Sequence, residues 1–292
     1  MTRTGAVAGR VGSVAVYDGF DLSPDDSRIA AAQVGATGTD IWITDLPDGS
    51  RFRAAFNTAS SNDTAPIWAG DNATLTYLST GTRGLALKRA DLVGNIAPTE
   101  LVSSPRNQLA DSWNKSRDEL IFEGYGSGGD GDLFVLHTRD GHVERLVINS
   151  GANDRAGRLS PDDRWIAYMT DESGQDEIWV AAYPSGQPRR RVSQGGGSHP
   201  EWNSAGSELF YISASGDLTA VTFRGARESG IVTERPLRLF AMPGPVDYVA
   251  GGHNMFQSAR DGKRFLVAAK SQSGDAPPLR FIVNWRSLLS GN

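Results

Sequence analysis

Hydrophobic and polar positions along this chain repeat in one order, with a period of about 45 residues. Each repeat has an apolar or aromatic anchor, a polar turn, an apolar run and, after a loop, a second short apolar run. Six segments follow this order: FDLSPDDSRIAAA, PIWAGDNATLTYL, DSWNKSRDELIFE, GRLSPDDRWIAYM, PEWNSAGSELFYI and NMFQSARDGKRFLVA. Their anchors are spaced 46, 45, 46, 43 and 54 residues apart, at Leu22, Trp68, Trp113, Leu159, Trp202 and Phe256.

The turns predict tight reversals between two strands, because Ser, Pro, Asp and Gly favour turn conformations. A third strand follows in segments such as DIWIT, DLFVL and EIWVA, and a fourth in SRFRAA, HVERLV, PRRRVS and PLRLF. Four antiparallel strands in about 45 residues form one blade of a β-propeller. The sequence therefore predicts an all-β fold, a six-bladed β-propeller that occupies residues 1–292 as a single domain.

The last repeat supplies only three strands, NMF, RFLVAA and LRFIVNW. The N-terminal segment GAVAGRVG resembles a fourth strand and precedes the first anchor. An unpaired sheet edge is prone to association, so pairing this segment with the last blade is the economical arrangement. We expect the N-terminal strand to close the last blade, with Gly5 to Gly12 paired with Phe281 to Trp285.

Composition narrows the function classes. The formal net charge is −5 and the isoelectric point is near 5.4, which gives no basic field for nucleic acid. There is no cysteine, so disulfides, thiolate zinc sites and a cysteine nucleophile are excluded. No apolar run approaches 18 residues, so we expect no membrane insertion. We expect a monomer.

One stretch resembles a known family. LSPDDRWIAYMTDESGQDEIWVAAYPSGQPRRRVSQGGGSHPEW is similar to the TolB-like, WD40-like (PD40) repeat, with its core of an aromatic residue, Ser-Pro-Asp-Gly and Ile-Ala-Tyr. More narrowly it resembles the C-terminal propeller of acidobacterial-type bacterial serine/threonine kinases, which ends near VNW as Val283-Asn284-Trp285 does. The resemblance covers residues 15 to 285. It implies a sensor or interaction module of a receptor-like kinase, located outside the cytoplasmic membrane.

Several motifs favour structure over chemistry. GSGGDG, Gly126 to Gly131, fits a dinucleotide fingerprint in letters only, because no helix is predicted after it. Arg189-Arg190-Arg191 lies in a fourth strand, where charges usually face solvent. The chain has no kinase catalytic motif, no G-x-S-x-G and no H-E-x-x-H.

The residues just before each anchor enter the innermost strand and are expected to ring one mouth of the central channel. The position three before the anchor holds Gly or Ala in four repeats and histidine in the last two: Gly19, Ala65, Ala110, Ala156, His199 and His253. The neighbouring polar residues, Asp18, Asp111, Arg155, Glu201 and Asn254, are the candidate binding residues.

Three interpretations of His199 and His253 stay open at this point. They are solvated funnel lining, contacts to a ligand or partner, or ligands of a divalent metal ion with a catalytic role. The leading function is a non-catalytic module that recognises a peptide, protein or small molecule at the channel mouth. The alternative is a metal-dependent hydrolase of esters or lactones in the channel. Asn254, Asp111 and Glu201 would then be its oxygen donors.

Overall fold

The computed structural model describes residues 1–54, 62–81, 84–93, 97–104, 108–126, 131–146, 148, 151–226, 230–243, 254–270 and 279–282. These residues form strands, turns and bends and contain no helix, in agreement with the predicted all-β class. Within them, no helix long and apolar enough to cross a membrane is found. The strands form six antiparallel sheets in the described ranges, and the chain divides into two compact units.

The first unit comprises Met1–Ser103 and Met242–Asn292. Two of its sheets run in chain order. They contain β2 (Tyr17–Leu22), β3 (Arg28–Gly35), β4 (Gly38–Asp45) and β5 (Arg51–Arg53), then β6 (Asn62–Trp68), β7 (Thr74–Gly81), β8 (Gly84–Asp91) and β9 (Thr99–Ser104). A third sheet has the order β1 (Val11–Ala15), β25 (Leu279–Ile282), β24 (Phe265–Lys270) and β23 (Phe256–Ser258).

The second unit is Ser104–Ala241. Its first two sheets contain β10 (Gln108–Trp113), β11 (Glu119–Tyr125), β12 (Gly131–His137) and β13 (His142–Arg145), then β14 (Asp154–Leu159), β15 (Trp165–Thr170), β16 (Glu177–Ala182) and β17 (Arg189–Arg191). Its third sheet contains β18 (Gly197–Trp202), β19 (Glu208–Ser213), β20 (Asp217–Ala226), β21 (Gly230–Thr233) and β22 (Leu237–Ala241).

The third sheet of the second unit has five strands where the sequence predicts four. Strand β20 pairs with β21 over its last residues and with β22 over its first. The segment PLRLF, predicted as the fourth strand, overlaps β22 over its last four residues. The inserted hairpin of β20 and β21 explains why the anchor spacing after Trp202 is longer than elsewhere.

The N-terminal strand pairs with the last sheet, at a later register than expected. Val11 lies opposite Phe281 and Ala15 opposite Leu279, so the paired segment is Val11–Ala15 where Gly5 to Gly12 is predicted. Val283, Asn284 and Trp285 lie outside the described residues. Val11 and Ala15 pack against a core cluster that includes Tyr17 and Leu266, which joins this sheet to the first one within the unit.

The anchor of the last repeat is two residues later than the aromatic pattern suggests. Leu22 pairs with Ile29, Trp202 with Leu209, and Ser258 with Phe265, seven residues apart in each case. The turn bonds agree, since Ala259 donates to Arg264 as Ser23 donates to Arg28. Ser258 therefore takes the place that Leu22 takes in the first sheet, and Phe256 lies two residues before it.

The cores lie between successive sheets. Trp202 joins a buried cluster with residues of the preceding sheet, among them Trp165 and Val180. Trp68 packs in the same way against Ile41 and Ile43. Burying a large apolar side chain contributes about 1.5–3 kcal/mol. The predicted role of the anchors, packing between neighbouring blades, is present at both tryptophans.

Candidate functional site

A buried carboxylate organises the glycine-rich turn that leads into β18. Glu177 Oε1 accepts a hydrogen bond from the backbone N–H of Gly195 at 2.9 Å, and Ser193 Oγ donates to Glu177 Oε2. Ser193 Oγ also accepts from the N–H of Ile178 at 2.7 Å. Burial raises the pKa of Glu177, but these hydrogen bonds outweigh it and the pKa is lowered. Glu177 thus holds a turn, and its acceptor capacity is used there.

Two of the glycines in this turn are required by space. A Cβ at Gly196, where φ is 108°, would lie 2.7 Å from the Cβ of Ala214, and one at Gly197 would lie 2.8 Å from Ser193 Oγ. Both distances are too short for a real side chain, so β18 approaches β16 and β19 only with glycine here. The QGGGS segment therefore fixes the path by which the chain reaches His199.

A one-residue bulge interrupts the first strand of five sheets, at the position where the sequence shows Gly, Ala or His. The pairing register shifts there in β2, β6, β10, β14 and β18. In four of these strands the residue three before the anchor is left-handed, with φ of 98° at Gly19, 48° at Ala65, 52° at Ala156 and 54° at His199. Left-handed backbone penalises bulky side chains, and histidine is among the residues that tolerate it. The bulge is the physical reason for small residues at this position.

His199 is buried, with 6% of its surface exposed. It is therefore not a solvated residue of an open funnel. His253 lies outside the described residues, so its predicted pairing with His199 stays a prediction. The register of the last sheet places Met255, three before Ser258, at the position equivalent to His199. The two histidines thus do not occupy equivalent positions in their repeats.

In the second unit, the first strands of the three sheets bring an arginine and two carboxylates together. Arg158 Nη1 on β14 lies 3.6 Å from Asp111 Oδ1 on β10, and Arg158 Nε lies 3.4 Å from Glu201 Oε2 on β18. Arg158 Nη1 also donates to the backbone oxygen of Asp111. The side chains of Asp111, Arg158 and Glu201 are 0%, 10% and 19% exposed. We call these three residues the inner charged cluster.

A fourth charged residue lies behind the cluster. Glu123 is buried; its Oε1 accepts from the N–H of Ala156 at 2.6 Å, and Tyr125 donates its hydroxyl to Oε2. Burial and the negative charge of Glu123 raise the pKa of Asp111 well above its usual value, with Arg158 opposing them. Burial also raises the pKa of Glu201 to about 7, again against the charge of Arg158. One guanidinium thus faces more carboxyl groups than it neutralises.

The other predicted binding residues have different surroundings. Arg155 pairs with Asp176 at 2.6 Å and does not join the inner charged cluster. Asp18 and Asn254 belong to the first unit. Burial raises the pKa of Asp18, and Asn254 is buried. Of the five predicted binding residues, the structure brings Asp111 and Glu201 together, through Arg158.

The two motifs interpreted as structural agree with the fold. Residues 127–130 of the GSGGDG segment lie outside the described residues, and Gly131 begins strand β12, not a helix. Arg189 pairs with Glu172 and stacks on the Trp179 ring, with its Cζ 4.8 Å from the ring centroid. The arginine run is therefore part of a fourth strand, as predicted.

Sequence reasoning missed Arg158 and Glu123. Arg158 immediately precedes the anchor Leu159, in the position that Asp21, Ile67, Ser112 and Glu201 take in other repeats. A comparison of that position across the repeats would have marked the one basic residue beside the acidic ones. Nothing in the spacing indicates Glu123, which lies in a second strand.

The sequence matches no protein-family model and no curated protein. Solved structures do match. TolB from Acinetobacter baumannii has a TM-score of 0.69 at 14% identity, over 90% of this chain and 62% of that one. The Cps50 (Swd1) β-propeller domain of Myceliophteria thermophila has a TM-score of 0.58 at 13% identity, over 96% and 90%. An oligogalacturonate lyase in complex with manganese has a TM-score of 0.63 at 14% identity, over 96% and 79%.

These likenesses show the fold, a β-propeller similar to those of TolB and of the Cps50 (Swd1) domain. The predicted fold class is confirmed to that extent. At such low identity the likenesses carry no activity or ligand to this chain.

A divalent ion does not fit the described part of the candidate site. Among the described residues no group of three or more His, Asp or Glu is arranged to hold a metal ion. The guanidinium of Arg158 lies between the two carboxylates that would be oxygen donors, Asp111 and Glu201. A positively charged side chain in that place disfavours a second cation of charge two.

Proposed function

We propose that this chain is a non-catalytic recognition module, a TolB-like propeller of six blades that binds a peptide, protein or small ligand at the first strands of its sheets. The inner charged cluster is the observation that carries the proposal. In a propeller the first strands line the central channel, so the cluster would face a ligand entering that channel. A rigid sheet scaffold with polar groups at its mouth suits binding without chemistry.

The cluster contains a carboxylate that does not hold a turn or a strand in place. Glu177 and Glu123 show what a structural carboxylate looks like in this chain, because backbone N–H and hydroxyl groups donate to them. Glu201 has the guanidinium of Arg158 at 3.4 Å and no closer ion pair in the described ranges, whereas Asp111 also accepts a hydrogen bond from the backbone N–H of Gly157. Buried charge that packing does not require is commonly a functional feature.

The hydrolase alternative rests on the fold of the manganese-bound lyase and on the predicted histidine pair. The described donors do not favour it, since Arg158 lies between Asp111 and Glu201. It stays a prediction, as do the link to receptor-like kinases, the extracytoplasmic location and the monomeric state.

A thermal-shift screen tests the proposal. The full chain is incubated with tripeptides of basic, acidic and neutral composition and with neutral and acidic sugars. We expect at least one class to raise the Tm of the wild type, and Glu201→Gln to reduce that shift. Asp21→Asn, which changes an acid of the first unit, is the matched control and should keep the shift.

The enzyme alternative is measured on the same protein. Hydrolysis of a p-nitrophenyl ester or an aliphatic lactone is followed with and without added Mn²⁺ and with a chelator. Turnover that needs the metal and is lost in His199→Ala would contradict a non-catalytic module. A screen in which no ligand class changes the Tm would contradict recognition at this site.

A further inference from the structure

The arginine run of β17 carries an inference about a second interaction surface, which is independent of the inner charged cluster. We infer that the exposed arginines at the outer edge of the second unit bind a short acidic segment of another protein. The surface consists of Arg190 and Arg191 on β17, Arg224 on β20 and Arg235 after β21. We call these four residues the arginine edge.

Fourth-strand arginines in three other sheets have an ion pair within their own sheet. Each lies opposite the residue that is two positions after an acid of the third strand. Long side chains reach such a diagonal neighbour. The ion pairs are Arg53 with Asp40, Arg145 with Asp132 and Arg238 with Asp217. The fold therefore provides a regular partner for an arginine at this position.

Arg191 occupies the same position in its sheet but has no such partner. It lies opposite Trp179, and the acid two positions before that residue is Glu177. Glu177 is buried and holds the glycine-rich turn before β18, as described above. The preceding acid, Asp176, pairs with Arg155. Arg191 is therefore left exposed, without an ion pair among the described residues.

The other arginines of the edge have little carboxylate compensation. Arg190 is exposed and its Nε donates to Thr233 Oγ1 at 3.3 Å, so β17 and β21 meet at this surface. Arg224 contacts Glu234 at 3.4 Å, and both side chains are more than half exposed, so this pair contributes little. Arg235 is exposed and has no ion pair in the part of the chain that the structure describes. The edge is thus locally positive in a chain whose net charge is −5.

Two exposed apolar side chains accompany the arginine edge. Val232 lies opposite Arg224 and is 53% exposed, and Leu237, at the start of β22, is 60% exposed. Carboxylates form strong, often bidentate, hydrogen bonds with arginine, and apolar side chains gain by covering valine and leucine. A protein segment that alternates acidic and apolar residues supplies both contacts. A long nucleic acid fits less well, because the net negative charge of the chain repels it.

The test is fluorescence anisotropy with the full chain at pH 7.5 and low salt, using three fluorescein-labelled peptides of one length. The acidic peptide is Gly-Glu-Leu-Glu-Leu-Glu-Gly, and glutamine or lysine replaces every glutamate in the other two. We expect the acidic peptide to bind and the other two to bind at least tenfold more weakly. Combining Arg190→Gln with Arg191→Gln should weaken the acidic peptide at least tenfold. The matched control is Arg53→Gln, a fourth-strand arginine paired with Asp40, which should leave the affinity unchanged.

Folding controls accompany these variants. Circular dichroism and the Tm of the double variant should match the wild type, because substitutions of exposed side chains usually change stability little. Arg235→Gln is an independent variant and should also weaken the acidic peptide. Raising the salt concentration should weaken binding, because the contact is between charges. Glu201→Gln should leave it unchanged, so that the arginine edge and the inner charged cluster are measured separately.

Three results would overturn the inference. Equal binding of the glutamine peptide would show an apolar contact alone. Binding of a labelled oligothymidylate that the double variant loses, without binding of the acidic peptide, would show a nucleic-acid surface. If neither probe binds, the inference fails, and self-association of the double variant in analytical ultracentrifugation would then show that the arginines keep sheet edges apart. None of these results bears on recognition at Glu201, which the thermal-shift screen measures.

Discussion

The residue immediately before the anchor has the same backbone role in the two units and a different side-chain role. In the first unit, the backbone oxygen of Asp21 accepts from Trp68 Nε1 at 3.3 Å, and Asp21 Oδ2 accepts from the N–H of Trp68 at 2.7 Å. In the second unit, the backbone oxygen of Arg158 accepts from Trp202 Nε1 at 3.0 Å. The side chain of Arg158 instead reaches two carboxylates.

The shared bond joins one first strand to the next in these two pairs of repeats. The side chain is left to vary, so an acid here does not by itself mark a site. Asp21 uses its carboxylate on a backbone N–H and belongs to the fold. Glu201, within the described residues, has an ion contact of 3.4 Å with Arg158 and belongs to the proposed site.

The largest expected change in the free energy of unfolding follows from removing the charge of Arg158. Arg158→Met keeps a long side chain but leaves Asp111 and Glu201 without their cation. We expect a loss of about 3 kcal/mol in the free energy of unfolding. This is the low end for breaking a buried ion pair, because Asp111 can take up a proton. Urea unfolding at pH 7 measures it.

A triple variant sharpens that result. Adding Asp111→Asn and Glu201→Gln to Arg158→Met removes the unpaired charges, so most of the stability should return. A loss below about 1 kcal/mol in the single variant would mean that the cluster is solvated, and would contradict its burial.

The next effect is in the first unit. Asp21→Ala removes the acceptor of the Trp68 N–H, a hydrogen bond to a charged group, and we expect a loss of about 2 kcal/mol. Asp21→Asn keeps one acceptor oxygen and should lose less than half of that. Both are measured by urea unfolding. An Asp21→Ala variant as stable as the wild type would remove the contrast with Arg158.

The pH dependence of the free energy of unfolding tests the buried environment of Glu201. The pKa of Glu201 is raised from 4.5 to about 7 in the folded chain. Between these values the folded state binds more protons than the unfolded state, so stability falls as the pH rises from 4.5 to about 7. Across this window, we expect the free energy of unfolding of Glu201→Gln to fall by about 1–2 kcal/mol less than that of the wild type. Denaturant unfolding at pH 5 and pH 8 measures it, and equal slopes would contradict the raised pKa.

The sequence predicts strand order well because each repeat contains the apolar runs and the turn residues of its own hairpins. It predicts register less well, since an aromatic residue does not fix which residue lies opposite another. The aromatic ring of Phe256 predicts an anchor at that residue, whereas backbone pairing places Ser258 there. The same limit applies to the histidines, because His199 and His253 are equivalent only if Phe256 is the anchor.

The sequence predicts Asp111 and Glu201 of the inner charged cluster as binding residues but does not predict Arg158. Asp111 and Glu201 are 47 and 43 residues from Arg158, and the repeat places all three near an anchor. Which side chain turns toward its neighbour depends on the bulge in each first strand. That bulge appears in the sequence only as a preference for Gly or Ala, which does not by itself distinguish a bulge from the lining of a channel.

The smallest effect concerns the bulge itself. Ala65 in the first unit and Ala156 in the second are left-handed, with φ of 48° and 52°, whereas Ala110, at the same position of strand β10, is not. Glycine at Ala65 or Ala156 relieves about 1–2 kcal/mol of backbone strain. It also increases unfolded-state entropy by about 0.4–1 kcal/mol and loses a buried methyl worth about 0.8 kcal/mol. These contributions nearly cancel, so the free energy of unfolding of both variants should lie within about 1 kcal/mol of the wild-type value.

Ala110→Gly relieves no strain and should be less stable than either by about 1–2 kcal/mol. Parallel urea unfolding of the three variants measures the difference. If Ala110→Gly were as stable as the other two, the left-handed backbone would not be what selects small residues at this position.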